Sequence, residues 1–302
     1  MKKAINQWCF PSEWSWERVF GLCEEAGFQG IELCIDYPPF FEAMRSAPAE
    51  GLIAEIARSV GSSFAASKAL RFDSPQEDVA RVATLAQEHG LGVSSVLTIA
   101  QFHYSLVDED PAIRSTGIDL VRRMLDIAAR VGAPNVLCVP GVVTSRICYE
   151  DAYRRLEDAI GLLKGEAEDR KVGLGLENVW GRFLYSPLEM RAFVDAFASP
   201  YVGVHFDVGN VMQYGHPDQW IRLLGKRRLL SIHLKDYLEE IGNIRAFTHL
   251  FQGNVPWDRV MEALRHVAYE GYLIAEVPPY PFAPEEGIWD ISRKIDILLG
   301  LG

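Results

Sequence analysis

Short apolar runs alternate with amphipathic stretches along the whole chain. Eight runs read as strands: Ala4–Trp8, Gly30–Leu33, Val93–Thr98, Asn135–Pro140, Val172–Glu177, Val202–Asp207, Leu229–Leu234 and Tyr272–Glu276. Each is continuously apolar instead of cleanly alternating, which suits parallel strands buried on both faces. Between them, polar and apolar residues recur at helical spacing. In Trp16–Ala26, Val19, Phe20, Leu22 and Cys23 fall toward one side, and Gly27 follows as a stop. In Ala112–Val131, Ile113, Ile118, Val121, Leu125 and Ala128 mark the apolar face, and Gly132 ends it. Further helices are predicted at Pro75–His89, Asp151–Asp169, Pro187–Ala198, Pro217–Leu224, Trp257–Val267 and Ile291–Leu299. Strand and helix alternating eight times predict an α/β fold, a closed (β/α)8 TIM barrel. An open doubly wound sheet is the competing architecture, but no Gly-x-Gly-x-x-Gly turn follows the first strand.

One connection breaks the rhythm, an extended stretch at about 35–92. A helix is predicted at Ala49–Val60, followed by a loop excursion over Gly61–Ser74. No linker, repeat or low-complexity tract divides the chain, so residues 1–302 read as a single barrel domain. That length suits a barrel, which typically needs about 250 residues.

Composition narrows the function classes. The chain is 49% hydrophobic and 24% charged, enough for a large core. Its 30 basic and 41 acidic residues leave a formal charge of −11, so nucleic acid is not expected as a partner. No run approaches the roughly 18 apolar residues of a membrane span. The start, MKKAINQWCF, has no apolar segment behind its lysines, so no signal peptide is expected and the cytoplasm is the expected location. The five cysteines are scattered, with no Cys-x-x-Cys pair, as befits reduced thiols.

The chemistry sits where four consecutive strands end. The fifth run delivers Glu177, the sixth Asp207, the seventh His233 and the eighth Glu276. In a TIM barrel these carboxyl ends face one side. A lone carboxylate there is usually solvated or capping a helix, and a lone histidine usually sits satisfied in the core. Three carboxylates and an imidazole brought together repel or take up protons unless a cation compensates them. A divalent metal ion supplies that compensation. Oxygen ligands with one histidine suit Mn2+ or Mg2+, with Co2+, Zn2+ or Fe2+ as alternatives.

At these residues the chain resembles the xylose-isomerase-like barrel superfamily, in its sugar phosphate isomerase/epimerase group. The resembling segments are LENVWGRFLYSP, HFDVGNVMQYGHPDQWI, SIHLKDY, QGNVPWDRVMEAL and GYLIAEV, with INQWCFP and GFQGIEL more loosely. The ordered set Glu, Asp, His, Glu on strands five to eight is the specific part. The resemblance implies metal ligation by Glu177, Asp207, His233 and Glu276, with Glu177 and Glu276 facing each other across a sugar or sugar phosphate. Several ketose 3-epimerases carry His three residues after the Asp ligand and Arg six after the His ligand. Here those positions are Asn210 and Glu239, so the sugar contacts differ. Related barrels often pair, which makes a homo-oligomer compatible with the resemblance, although no stripe marks an interface.

The expected reaction is proton transfer next to a ketone through an enediolate, with Glu177 and Glu276 as catalytic residues on opposite faces. That arrangement favours 3-epimerisation. Aldose–ketose or hydroxypyruvate-type isomerisation, an inosose-type dehydration and a non-catalytic sugar binder are the alternatives. A related DNA-repair endonuclease would need more histidines and a basic groove. Substrate contacts are expected from Trp8, Glu32, Asn178, Arg182, His205, Asn210, Lys235 and Arg245. Strand alternation puts His205 on the face of Asp207. Phosphate recognition stays open: the turn after strand eight, VPPYPF, is poor in N–H donors, while Arg146, Arg182, Lys235 and Arg245 could serve by side chain.

Overall fold

The computed structural model describes residues 1–46 and 69–300. Eight parallel strands close on themselves: β1 (Lys2–Asn6), β2 (Gly30–Asp36), β3 (Gly92–Leu97), β4 (Asn135–Cys138), β5 (Gly173–Glu177), β6 (Val202–Asp207), β7 (Leu229–Leu234) and β8 (Tyr272–Ala275). Each pairs with the next in sequence. β8 and β2 both flank β1, so the sheet has no free edge and forms a (β/α)8 barrel.

The helices outside are α1 (Trp16–Glu25), α2 (Gln76–Glu88), α3 (Pro111–Val131), α4 (Tyr149–Arg170), α5 (Pro187–Ala196), α6 (Pro217–Leu224), α7 (Trp257–His266) and α8 (Pro284–Leu299). Local chemistry sets their ends. The Asp110 carboxylate accepts from Ala112 N at 2.8 Å and Pro111 opens α3, while Gly132 closes it at φ 74°. Their apolar faces meet the outward residues of the strands. Phe206 of β6, for example, stacks on Trp220 of α6 with ring centroids 6.0 Å apart.

The strands are less uniform than their apolar runs suggest. In β6, Val204 and Phe206 alternate with His205 and Asp207; in β7, Ser231 and His233 alternate with Ile232 and Leu234, all buried. The inward row is polar and the outward row apolar, so both read as hydrophobic interior only until the period of two is applied.

Several boundaries move. β1 ends at Asn6, because Asn6 Oδ1 accepts from Trp8 N at 2.6 Å and starts a 3-10 turn at Gln7–Cys9. α8 begins at Pro284, seven residues before the predicted start, with Glu285 and Glu286 in its first turn. In the long connection, a further helix runs Pro38–Ser46 and a two-residue strand, Leu70–Arg71, pairs with the end of β2. The predicted helix Ala49–Val60 and most of the predicted Gly61–Ser74 loop lie outside the described residues. No helix among the described residues is long and apolar enough to cross a membrane.

Candidate active site

The register of the barrel brings the predicted cluster together. Asp207 lies beside His233 and Glu177 beside His205 on neighbouring strands, while Ile274, two before Glu276, also pairs with His233. One ligand atom from each of Glu177, Asp207, His233 and Glu276 falls within 4.8 Å of the others. His233 Nδ1 stands 3.4 Å from Glu276 Oε2, 3.6 Å from Asp207 Oδ2 and 3.8 Å from Glu177 Oε1. It is buried and has no hydrogen-bond partner.

The other ring nitrogen is committed. His233 Nε2 lies 2.7 Å from Glu32 Oε2. Glu32 is itself fully buried, takes a hydrogen bond from Asn6 Nδ2 at 2.5 Å and another from the Ser95 hydroxyl. A carboxylate holding the far nitrogen fixes an imidazole's tautomer and aims its near nitrogen. A second group, Glu32, His205 and His233, is also close enough to share an ion. It would need the nitrogen that Glu32 already occupies, so the Glu177 group is the one with open donors.

Glycines make room for this packing. At Gly209 a Cβ would meet Lys235 Cγ at 2.5 Å and Lys235 O at 2.9 Å, so only glycine lets the lysine stem pass. Lys235 Nζ then reaches 2.7 Å from Asp207 Oδ2 and 2.5 Å from Glu276 Oε2. At Gly175 a Cβ would lie 3.1 Å from His205 Cβ and 3.2 Å from Val136 O, a tight fit for any other residue.

Charge is unevenly spread. Burial raises the Glu177 carboxyl to about 7, with Glu276 adding to the rise. Burial would raise Glu276 as well, but Lys235 and His233 outweigh it and hold that carboxyl below its ordinary value. Burial would lower His233, yet Glu32, Glu276 and the other acids hold it well above its ordinary value. His205, deeper in the barrel with its ring centroid 4.2 Å from that of His233, is pushed by burial down to about 3 and is neutral. Such a cluster gathers protons and a lysine to offset its acids, the behaviour of a site built for added positive charge.

A cavity of about 830 Å³ opens above the cluster, and Glu177, Asn210, Lys235 and Glu276 are among its lining residues. Asn210 Nδ2 donates to Glu177 Oε1 at 3.2 Å. Trp8, Phe10 and Trp14 line another wall, with Trp180, Phe247 and Tyr280 also bordering the space.

The predicted contacts divide into two sets. Trp8, Asn210 and Lys235 line the cavity. Five do not. Glu32 is buried against His233, where it has no face toward a substrate. Asn178 is spent on Asp207, accepting from its backbone N at 2.7 Å and donating to its O at 2.9 Å. His205 shares the inward row with Asp207, as alternation requires, but lies a step deeper and is fully buried. Arg182, at φ 54°, and Arg245 have exposed side chains away from the cavity lining. Asn6, Ser95 and Gly209 were not anticipated. Asn6 follows Ala4 on the inward face of β1, so strand alternation could have flagged it.

Residues 20–295 match the family described as Xylose isomerase-like TIM barrel. The chain belongs to that family. Among curated relatives, an L-ribulose-5-phosphate 3-epimerase of Escherichia coli O1:K1 is 23% identical over 205 residues, covering 68% of this chain and 71% of the relative. Among solved structures, the IolI protein with a binding zinc atom superposes with a TM-score of 0.75 at 17% identity, over 99% of this chain and 98% of its own. A D-psicose 3-epimerase crystallised in the presence of D-fructose gives 0.69 at 16% identity, over 99% and 97%. These members of the xylose isomerase-like fold bear epimerase names in two cases and a metal ion in the third.

Proposed function

We propose that this chain is a metal-dependent ketose 3-epimerase that moves a proton through an enediolate. The broader class, a sugar isomerase or epimerase, follows from its relatives. The finer reading is carried by one observation: two glutamates from β5 and β8, well separated around the barrel, converge on the same imidazole nitrogen and both line the cavity.

The residues fit a divalent ion. His233 Nδ1 is aimed into the cluster without a partner, and the three carboxylates have only Lys235 and bound protons to offset them. Glu177, Asp207, His233 and Glu276 would hold the ion. Three oxygen donors and one nitrogen suit Mn2+ or Mg2+ and also admit Co2+, Zn2+ or Fe2+. When bound, the ion supplies a Lewis acid for the carbonyl and its neighbouring hydroxyl.

The rest is the work of the side chains. One glutamate takes the proton from the carbon beside the ketone, and the other returns a proton on the opposite face. The two exchange roles when the reaction runs backward. Asn210 orients the Glu177 carboxylate through its 3.2 Å bond. The aromatic walls exclude water, which strengthens every charge interaction inside.

Purified protein with Mn2+, incubated with ketoses in deuterated water, should place deuterium at C3 in both epimers. Glu177→Gln and Glu276→Gln should each lose about 10²–10⁴-fold in turnover while keeping the far-UV circular dichroism of the barrel. Near-wild-type rates in either variant would defeat the assignment. Deuterium at C1 would shift the reading to an aldose–ketose isomerase. Tight binding with no exchange would leave a sugar binder.

A further inference from the structure

We propose that the preferred substrate is a neutral ketose carrying a second ring, a glycosylated ketose, and not a ketose phosphate. This rests on the epimerase reading above and narrows it.

A phosphate in a TIM barrel is usually seated by the loops after strands seven and eight and by a helix N-terminus. Here that corner is built against an anion. Pro278, Pro279, Pro281 and Pro284 border the cavity and offer no N–H groups. The helix that begins there, α8, carries Glu285 and Glu286 in its first turn. Those acids occupy the end of the helix dipole that an anion would use. The charged side chains lining the cavity, among the described residues, are Glu13, Glu177, Glu276 and Lys235. Lys235 is the one cation, and Asp207 and Glu276 already claim its ammonium. A phosphate dianion would lose its hydration beside three carboxylates and gain no free positive partner.

The same cavity is generous to a neutral, ring-shaped extension. Its volume of about 830 Å³ lies toward the upper end of the range that takes drug-sized ligands, and a monosaccharide fills only a fraction of it. The groups of the acid cluster, Glu177, Asn210, Lys235 and Glu276, share the lining with Gln7, Ser12, Glu13 and Thr98. Much of the remaining surface is apolar, and aromatic rings make up a large part of it. Phe10 and Trp14 stand together with ring centroids 6.2 Å apart, and Trp180 and Phe247 form a second pair at 4.9 Å. Trp180, Phe247 and Tyr280 are only half-buried, so part of each ring faces the open space. Such faces bury the C–H faces of a second sugar ring at low entropic cost, because aromatic side chains have few rotors to freeze. The acid cluster would take the ketone and the aromatic rings the attached ring.

A matched series tests this: D-fructose, D-fructose 6-phosphate and isomaltulose, which carries glucose on the same ketose oxygen. Each is incubated in deuterated water with the Mn2+-loaded full chain, and C3 exchange is followed. Isomaltulose should exceed fructose in kcat/KM by about tenfold or more, the scale of one or two good aromatic contacts, and fructose 6-phosphate should fall below fructose. Tyr280→Ala should shrink the isomaltulose-to-fructose ratio. A higher kcat/KM for fructose 6-phosphate than for fructose, or equal values for isomaltulose and fructose, overturns the inference and leaves the epimerase reading intact. Exchange with none of the three overturns the epimerase reading itself and the inference with it.

Discussion

At the scale of single residues, the site is a cluster of proposed ligands and its supports. The four residues of the cluster were legible because each is a polar residue at or near the end of an apolar run, and four such ends follow one another. The supports were not. Glu32 reads in the sequence as one more acid at a strand end, open to a substrate hydroxyl. Its burial and its 2.7 Å contact with His233 depend on β2 and β7 facing each other across the barrel, which no local pattern encodes. Arg182 and Arg245 lie outside the cavity lining for the opposite reason. Both lie close in sequence to site residues, but their loops turn the side chains outward. The position of Glu32 carries a prediction. Glu32→Gln keeps the shape but gives up the carboxylate that fixes the imidazole, so Mn2+ affinity should weaken by about 10–100-fold. Calorimetric titration of the metal, which needs no substrate, measures it. Unchanged affinity would mean that the carboxylate merely fills space.

At the scale of elements, the strand and helix rhythm was plain because the outward rows of the strands are mostly apolar and the helices carry matching faces. Short elements escaped. Asp236–Tyr237 and Phe247–Thr248 form a two-stranded hairpin in the connection from β7 to α7. A buried carboxylate holds it: Asp236 Oδ1 accepts from Tyr237 N at 2.9 Å and Val255 N at 3.0 Å, and Oδ2 from Trp257 Nε1 at 2.9 Å. Pairs of two residues leave no periodicity to read. Gly253 fits against this knot so closely that a Cβ would meet Asp236 Oδ1 and Tyr237 O at 2.5 Å. Gly253→Ala should therefore cost about 1–3 kcal/mol, seen as a lower urea midpoint. It should also disturb Lys235, the residue before Asp236. A surface connection behaves differently with pH. Asp195 of α5 receives Arg228 Nε at 2.7 Å and Nη2 at 2.6 Å, and Arg227 Nη2 at 2.6 Å. The Arg228 hydrogen bonds hold its carboxyl below the ordinary 3.8. A depressed folded value means that the stabilisation is present above 3.8 and drains away as pH falls through the lower folded value. The side chain is 34% exposed, so solvent screens it. Asp195→Asn should cost about 1 kcal/mol at neutral pH, and the gap from wild type should close in acid. A gap that widened in acid would reverse the sign.

At the scale of the whole molecule, the four proposed ligands join strands β5 to β8, half of the barrel wall, around one point. Protons and Lys235 offset the acids there, with Glu177 raised to about 7 by burial and by Glu276. An ion that binds the folded barrel and not the unfolded chain must stabilise it by mass action, about 2.7 kcal/mol at a hundred times its Kd. For a chain of this size that is a rise of roughly 4 °C in Tm, reversed by a chelator. Scattered surface acids could also attract divalent ions, since the net charge is −11. Screening separates the two, because loose surface attraction fades with salt while a buried site keeps its affinity. Asp207→Asn removes one buried ligand and leaves the surface alone. The shift in 0.5 M salt should therefore survive in the wild type and largely vanish in the variant. Equal shifts in both, or no shift with any of Mn2+, Mg2+, Co2+, Zn2+ and Fe2+, would mean that these strands meet without forming a cation site.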